Sequence, residues 1–343
     1  MCTSFLLKSS DGGSVYGRTL EFGLPLSSQI MVTPRNFPIQ GVGVDGKPGT
    51  GLNWTSKYAV AGMNALGIAV YADGMNEKGL VGGMQSAPFT AQYQDVSQVD
   101  SGNSISSSQV LLYALSNFAT VDEVKEGLSK IMVNRSPVAA FHNSVVTQRY
   151  PMHDASGKSI MIEYLNGELV ITDNPTGVAA NDPAFSQHLN NIGDYVNLTN
   201  IEQDSLVING VTYGSPSSGN GLHGLPGDFL STSRFIRALF FSKAVPLSFT
   251  TEQMNNAAWH VLGSFDIPPG AVTLPSSNPY GGGEGGIEIT EWSVVADLKN
   301  MIYNVRTYET TNVYTFDFKK IDADTKELKF YKLDQVQATI QLN

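Results

Sequence analysis

Cysteine is nearly absent from this chain: 343 residues hold one, at position 2. A lone thiol forms no intramolecular disulfide and offers a zinc site a single thiolate, so both structural uses of cysteine are closed. Basic residues are also scarce. Twenty-one Lys plus Arg stand against 31 Asp plus Glu, a formal net charge of -10 with no Lys/Arg-rich block. Recognition of nucleic acid or an anionic membrane through a basic field is therefore disfavoured. Charged residues of either sign make up 15%, below the roughly 25% of an average globular protein. Long apolar runs are missing: Phe235 to Phe241 is broken by Arg237 and falls well short of the roughly 20 residues that span a bilayer. The N-terminus has no basic region and only a short apolar stretch, Phe5 to Leu7. No signal peptide is expected, and the chain reads as cytoplasmic, or as a periplasmic or secreted mature form that has lost a leader.

What is present is a hydrophobic fraction of 41%, which excludes wholesale disorder and implies a large core. Length alone suggests about two domains, but no composition shift marks a boundary. The first 22 residues alternate polar and apolar about Asp11-Gly12-Gly13, predicting a hairpin of Thr3 to Lys8 and Ser14 to Phe22, with Cys2 heading the first strand. A second hairpin is predicted at Ser159 to Leu165 and Glu168 to Thr172 across Asn166-Gly167. Alternation over Trp292 to Asp297, Met301 to Tyr308 and Val313 to Phe318 predicts a C-terminal meander. Helical spacing covers Ser107 to Phe118 and the stretch after the capping pair Thr120 and Glu123, forming an αα-hairpin. Two more helices are expected, one capped by Ser233 and one opened by Thr250 with Gln253. Segregated blocks of antiparallel strands and paired helices indicate α+β and not a doubly wound sheet. The Pro/Gly/Ser-rich stretch Asp266 to Gly286 is long for a structureless connection and is expected either to border a pocket or to be a surface insertion.

Removal of Met1 would expose Cys2 as a residue that carries both a thiol and a free α-amine. A free thiol titrates near about 8.5 and a terminal amine near about 7.7, close enough for the amine to take the thiol proton. Nucleophile and base then sit on one residue, and the alternatives are a packed apolar thiol or an incidental one. Such a nucleophile needs a cation to favour thiolate, donors for a tetrahedral oxyanion and a group to orient the amine. Arg18 and Glu21 lie on the strand that pairs with Cys2, so they are candidates for the cation and the amine anchor. The plainer alternative is an exposed cross-strand ion pair between them, worth at most about 1 kcal/mol.

Met1-Cys2-Thr3-Ser4-Phe5 with Gly17-Arg18-Thr19-Leu20-Glu21-Phe22 resembles the start of the choloylglycine hydrolase family, which includes bile salt hydrolases and penicillin V acylases. Further segments resemble it in the same order: Thr33 to Phe37, Ala72 to Leu80, Asp173 to Pro175 through Asn181-Asp182-Pro183, and Gly224 to Phe229 with Ser233-Arg234-Phe235. The resemblance implies one N-terminal-nucleophile hydrolase domain over residues 1–343, four layers αββα with two antiparallel sheets inside. It further implies catalytic roles for Cys2, Arg18, Glu21, Gln85, Asn181 and Arg234. Asn181 would be the side-chain oxyanion donor, and the backbone amide at Gln85 the second donor. Glu21 stands where the family usually has Asp, and Gln85 where it has Asn or Tyr, departures that bear on specificity more than on reaction type.

The implied reaction is hydrolysis of a linear amide C–N bond with no metal or organic cofactor. The expected substrate is a small amide with a hydrophobic acyl part, first a conjugated bile salt, with penicillin V or an acyl-homoserine lactone as alternatives. Its pocket would be lined by residues after Phe22, around Tyr58 to Asn64 and around Val133 to Phe141, with an anionic group met by Arg18 or Arg234. A non-catalytic ligand-binding member of the fold is the alternative outside the enzyme class. The excursion Asn190 to Asn220 resembles the inter-subunit extension of tetrameric relatives, so a homo-oligomer is expected. Residues His142, His153, His188, His223 and His260 show no metal-ligand spacing, and Trp54, Trp259 and Trp292 read as core. The glycines of Gly281 to Gly286 do not sit in a βαβ unit and read as flexibility, not phosphate binding.

Overall fold

The computed structural model describes residues 1–275, 286–333 and 336–342. Most of Gly281 to Gly286 therefore lies outside the described residues. The predicted hairpin forms from β1 (Cys2–Lys8) and β2 (Ser14–Phe22), in a register that sets Cys2 opposite Leu20 and Ser4 opposite Arg18. These strands lie inside a six-stranded sheet ordered Ala179–Ala180, β1, β2, Ile289–Asp297, Ile302–Thr307, Tyr314–Asp317, so the C-terminal meander packs directly against the N-terminal hairpin. A nine-stranded sheet faces it and includes Ile30–Thr33, Val60–Ala65, Ile68–Asn76, Val81–Gly83, Gln148–His153 and the hairpin Ser159–Leu165/Glu168–Asp173.

Three apolar cores separate four layers. Cys2, Leu6, Tyr16 and Leu20 meet Met63, Ala72, Met75 and Val81 between the sheets. Phe5, Leu7 and Val15 project from the other face of the first sheet onto Phe235, Ile236, Met254 and Val261. The second sheet is covered by Val110, Leu111, Leu115, Val124 and Leu128. This is the expected αββα arrangement, and it follows from strand alternation: the even Cys2, Leu6, Tyr16 and Leu20 face the opposite sheet while the odd Phe5, Leu7 and Val15 face the helices. Gly17 is small because the Phe5 ring lies 2.4 Å from where its Cβ would be.

The first helical layer comprises α1 (Val110–Asn117), entered through a 3-10 turn at Ser107–Gln109, and α2 (Val121–Leu128). Thr120 accepts the Glu123 N–H as predicted, but the Glu123 carboxylate reaches back one residue further, to the Ala119 N–H at 2.8 Å. Following the short α3 (Phe185–Asn191), α4 (Ser231–Ala244) and α5 (Thr251–Gly263) make the other layer. Thr250 and Gln253 form the full reciprocal cap of α5. Ser233 does not cap α4: the helix starts two residues earlier, Asp228 accepts the Leu230 N–H, and the Ser233 hydroxyl donates to Asp228 at 2.8 Å. Among the described residues no helix is long and apolar enough to cross a membrane.

Candidate active site

Cys2 begins β1, is 5% exposed and lines a cleft to which residues of both sheets contribute. On the same face of β2, diagonal to it, lies Arg18, as strand parity requires. The Arg18 Nη2 donates to the Cys2 Sγ at 3.4 Å and also to the Met84 carbonyl. Its Nη1 donates to Asp73 at 2.9 Å and to the Ala72 carbonyl at 2.5 Å. Asp73 is itself held by the hydroxyls of Tyr16 at 2.8 Å and Tyr303 at 2.6 Å, and the guanidinium carbon lies 5.2 Å from the Trp292 ring centroid. Gly83 leaves room for this pairing, since a Cβ there would stand 2.1 Å from Arg18 Nη1.

Arg18 is 0% exposed. Burial opposes its charge, but the Cys2 sulfur and the Asp73 carboxylate outweigh that, and the guanidinium is held above its ordinary range. Burial raises the Asp73 carboxyl, while Arg18 and the two tyrosine hydroxyls pull it back. The sequence signal for Asp73 was its place in Ala72 to Leu80; its role emerges only when the second sheet lands on the first. Trp292 is core as expected, and it also packs over the Arg18 guanidinium.

Glu21 and Arg18 do not form an ion pair. Three residues apart on one strand, their side chains fall on opposite faces. Glu21 lines the cleft at 1% exposure, and neither of its carboxylate oxygens makes a hydrogen bond of ordinary geometry among the described residues. Burial raises its carboxyl above the usual range, opposed by the terminal ammonium and Arg234. In the chain as it stands, Met1 precedes Cys2: the Met1 ammonium donates to the Glu21 carbonyl at 2.5 Å, and the Glu21 N–H returns to the Met1 carbonyl at 2.9 Å.

The Cys2 N–H donates to Asn181 Oδ1 at 2.7 Å, and Arg234 Nη2 donates to the same oxygen at 2.8 Å. Two donors on one oxygen fix the amide orientation, so Asn181 Nδ2 faces the other way and donates to the Ser86 carbonyl at 2.8 Å. Arg234, buried on α4, also donates to the Cys2 carbonyl at 2.5 Å and to Thr3 Oγ1 at 2.7 Å. The segment carrying Asn181 is braced from behind: Arg149 donates to its carbonyl at 3.0 Å and pairs with Glu163 at 2.8 Å. His188 Nε2 meets the same carbonyl at 2.7 Å; burial lowers this imidazole to about 4, so it is neutral and donates there. No histidine is a partner of Cys2 among the described residues.

Gln85 is fully buried but does not line the cleft; its Nε2 donates to Ser4 at 3.0 Å. The neighbouring Ser86 lines the cleft instead. Ala87 donates to the Thr147 carbonyl, which makes Ser86 and Gln148 a non-hydrogen-bonded pair of the ladder. The Ser86 N–H and C=O therefore point away from that strand, along the edge where Asn181 meets the carbonyl. By the same parity the Gln85 N–H turns towards the strand of Arg149, and the Ser86 N–H away from it.

Leu20, Phe22, Leu26, Leu66, Val70, Met84, Val138 and Phe141 give the cleft a predominantly apolar wall. The expectation at Val133 to Phe141 is met by Val138 and Phe141. That at Tyr58 to Asn64 is displaced: Val60, Ala61 and Met63 are buried in the sheet, and the wall comes from Ala65, Leu66, Ile68 and Val70 at the following turn. Among the described residues no Lys or Arg lines the cleft; Arg18 and Arg234, expected to meet an anionic group, are buried with their Nη atoms engaged. The described part of Asp266 to Gly286 does not line this cleft; Asp266, Ile267 and Pro268 border a separate pocket with Thr290 and Arg306.

The profile of the linear amide C–N hydrolases, choloylglycine hydrolase family, matches residues 2–331. A bile salt hydrolase/transferase of Clostridium perfringens is 29% identical over 345 residues, covering 100% of both chains. Another from Lactiplantibacillus plantarum is 30% identical over 344 residues, covering 97% of each. The crystal structure of a mutant conjugated bile acid hydrolase from Clostridium perfringens superposes with a TM-score of 0.88 at 28% identity, covering 100% of both chains. With the αββα sandwich and an N-terminal cysteine at the head of its inner hairpin, the chain belongs to the linear amide C–N hydrolases of the choloylglycine hydrolase family.

Proposed function

We propose that the mature protein, freed of Met1, hydrolyses the amide bond of conjugated bile salts with Cys2 as nucleophile. The observation that carries the reading is Cys2 lining a predominantly apolar cleft with an Arg18 guanidinium nitrogen 3.4 Å from its sulfur. The cleft suits a bulky hydrophobic acyl group. Removal of Met1 converts the Cys2 amide nitrogen into an amine beside Glu21, Asn181 and the substrate bond.

The thiolate attacks the amide carbonyl and forms the C–S bond. The Ser86 N–H and the second hydrogen of Asn181 Nδ2 donate to the oxyanion. As the tetrahedral species collapses, the C–N bond breaks and the leaving nitrogen takes a proton from the Cys2 ammonium. Water, deprotonated by the freed amine, then cleaves the thioester and restores the thiol. Arg18 holds the sulfur's charge, Glu21 anchors the amine, and Arg234 orients Asn181 and the Cys2 carbonyl.

Rates on glycocholate, taurocholate, penicillin V and an acyl-homoserine lactone, measured on one preparation beside Cys2→Ala, test this. Bile salt turnover above the other two and lost in Cys2→Ala is the expected result. Equal turnover by Cys2→Ala overturns the mechanism, and preference for penicillin V or the lactone overturns the substrate.

A homo-oligomer is part of the proposal. The hairpin Leu206–Ile208/Val211–Tyr213 exposes Leu206 and Val207 at 61% each and Tyr213 at 58%, apolar surface on a two-stranded ribbon that has no core of its own. Leu206→Asp with Val211→Asp should lower the mass measured by light scattering; an unchanged mass refutes assembly through this ribbon.

A further inference from the structure

The cleft is not apolar all round. Apart from Cys2 and Glu21, its polar lining residues are Ser86, Ser108, Thr147 and Gln148. Strand register brings Ser86 and Gln148 together. They are a directly opposed, non-hydrogen-bonded pair, so their side chains stand on one face of the sheet with Cβ atoms about 4.5–5.5 Å apart. Alternation puts Gln148 on the face of its strand that carries Tyr150 and Met152, both part of the core under α1. Over that same face lies the 3-10 turn Ser107–Gln109: the Tyr150 hydroxyl donates to the Ser107 carbonyl at 2.6 Å, and the Ser107 hydroxyl to the Val146 carbonyl at 2.9 Å. From this turn Ser108, 6% exposed, lines the cleft.

Most of the hydrogen-bonding capacity of these side chains is unspent. Gln148 is half-buried and bonded through its backbone to the Tyr93 hydroxyl, while its carboxamide makes no hydrogen bond among the described residues. The Ser86 hydroxyl makes none among them either, and Ser108 Oγ has only Ser106 Oγ, at 3.0 Å. A carboxamide offers two donors and an acceptor, and each hydroxyl a donor and two lone pairs. The first-sheet side of the same cleft, by contrast, brings Leu20, Phe22 and, from the following connection, Leu26.

We infer that Ser86, Ser108 and Gln148 form a strip that reads hydroxyls on the acyl group, so the cleft selects acyl groups that are hydroxylated along one face and apolar on the other. The inference rests on the amidase reading above and adds to it the face of the acyl group that is recognised. A cholyl group, with its hydroxyls on one face of the ring system, meets both walls. An acyl group of the same outline without the hydroxyls of its middle rings displaces water from the strip and does not replace its hydrogen bonds.

The test compares two glycine conjugates on mature protein, each below its micellar concentration: glycocholate, and glycolithocholate, which lacks the two hydroxyls of the middle rings. The readout is the ratio of their kcat/KM values. Gln148→Leu should lower that ratio about fivefold, the worth of one hydrogen bond, with the loss falling on glycocholate. Turnover of glycolithocholate at the wild-type rate shows in the same experiment that the variant is folded. Ser108→Ala should shift the ratio in the same direction, and it carries the test if Gln148→Leu does not fold. A ratio that stays at its wild-type value, including an equal loss on both conjugates, overturns the strip while leaving the amidase reading intact. Absence of wild-type turnover on both conjugates overturns the two together.

Discussion

Replacing Glu21 by Gln should have opposite consequences before and after Met1 is removed. In the unprocessed chain Glu21 is a fully buried carboxylate with neither oxygen hydrogen-bonded in ordinary geometry among the described residues, and burial raises its carboxyl above the ordinary range against the pull of the terminal ammonium and Arg234. A group whose folded-state affinity for protons is raised contributes stability below its unfolded value, near about 4.5, and loses that contribution as pH rises through the folded value. At neutral pH the carboxylate therefore costs stability. An unsatisfied buried polar group costs about 1–3 kcal/mol. With an unfolding entropy of about 2.1 cal/mol/K per residue over this length, that corresponds to roughly 1 to 4 °C in Tm. A chain carrying an N-terminal extension ahead of Met1 keeps the Cys2 nitrogen as an amide. In that form Glu21→Gln should raise Tm by this amount at pH 7.5 and by much less at pH 4, where the carboxyl is largely protonated in both states. Once processed, the Cys2 ammonium gives Glu21 an opposite charge; Glu21→Gln should then stabilise less and reduce kcat by about 10²-fold through loss of the amine's anchor. Calorimetry on both forms at both pH values, with turnover of the processed form, decides it. A Tm gain independent of pH, or identical in the two forms, refutes the argument.

Two further substitutions probe the parts that hold the sulfur and the oxyanion. Ser86→Pro removes the backbone donor and should lower kcat by about 10²- to 10³-fold, whereas Ser86→Ala keeps the N–H and should stay within a few-fold of wild type; equal losses in both would show that the hydroxyl, and not the amide, matters. Asp73→Asn removes one partner of a buried ion pair and should cost about 3–5 kcal/mol in urea unfolding. If Asp73 positions Arg18 against the sulfur, the folded fraction should also lose kcat with little change in KM. A pure stability loss with kcat retained would assign Asp73 to the scaffold alone.

What was legible in the chain was what depends on neighbours in sequence: the β1–β2 hairpin, the Thr250–Gln253 cap, the meander and the segregation of strands from helices. Local turn chemistry and alternation determine these, and the N-terminal position of Cys2 alone suggested its chemistry. Arg18 and Glu21 separate for a physical reason: three residues apart on one strand, their side chains fall on opposite faces, so the plainer ion pair between them does not form, and Arg18 turns to Asp73 and the sulfur while Glu21 lines the cleft. Asp73 and Tyr303 stayed unassigned because nothing local distinguishes them: 55 residues separate Asp73 from Arg18 and 230 separate it from Tyr303, and only the packing of one sheet on the other joins them. A site built this way has its nucleophile written at one end of the sequence and its electrostatics written by the fold. That division is why Cys2 announces the reaction while Asp73, which holds the Arg18 guanidinium beside the sulfur, had to be found in three dimensions.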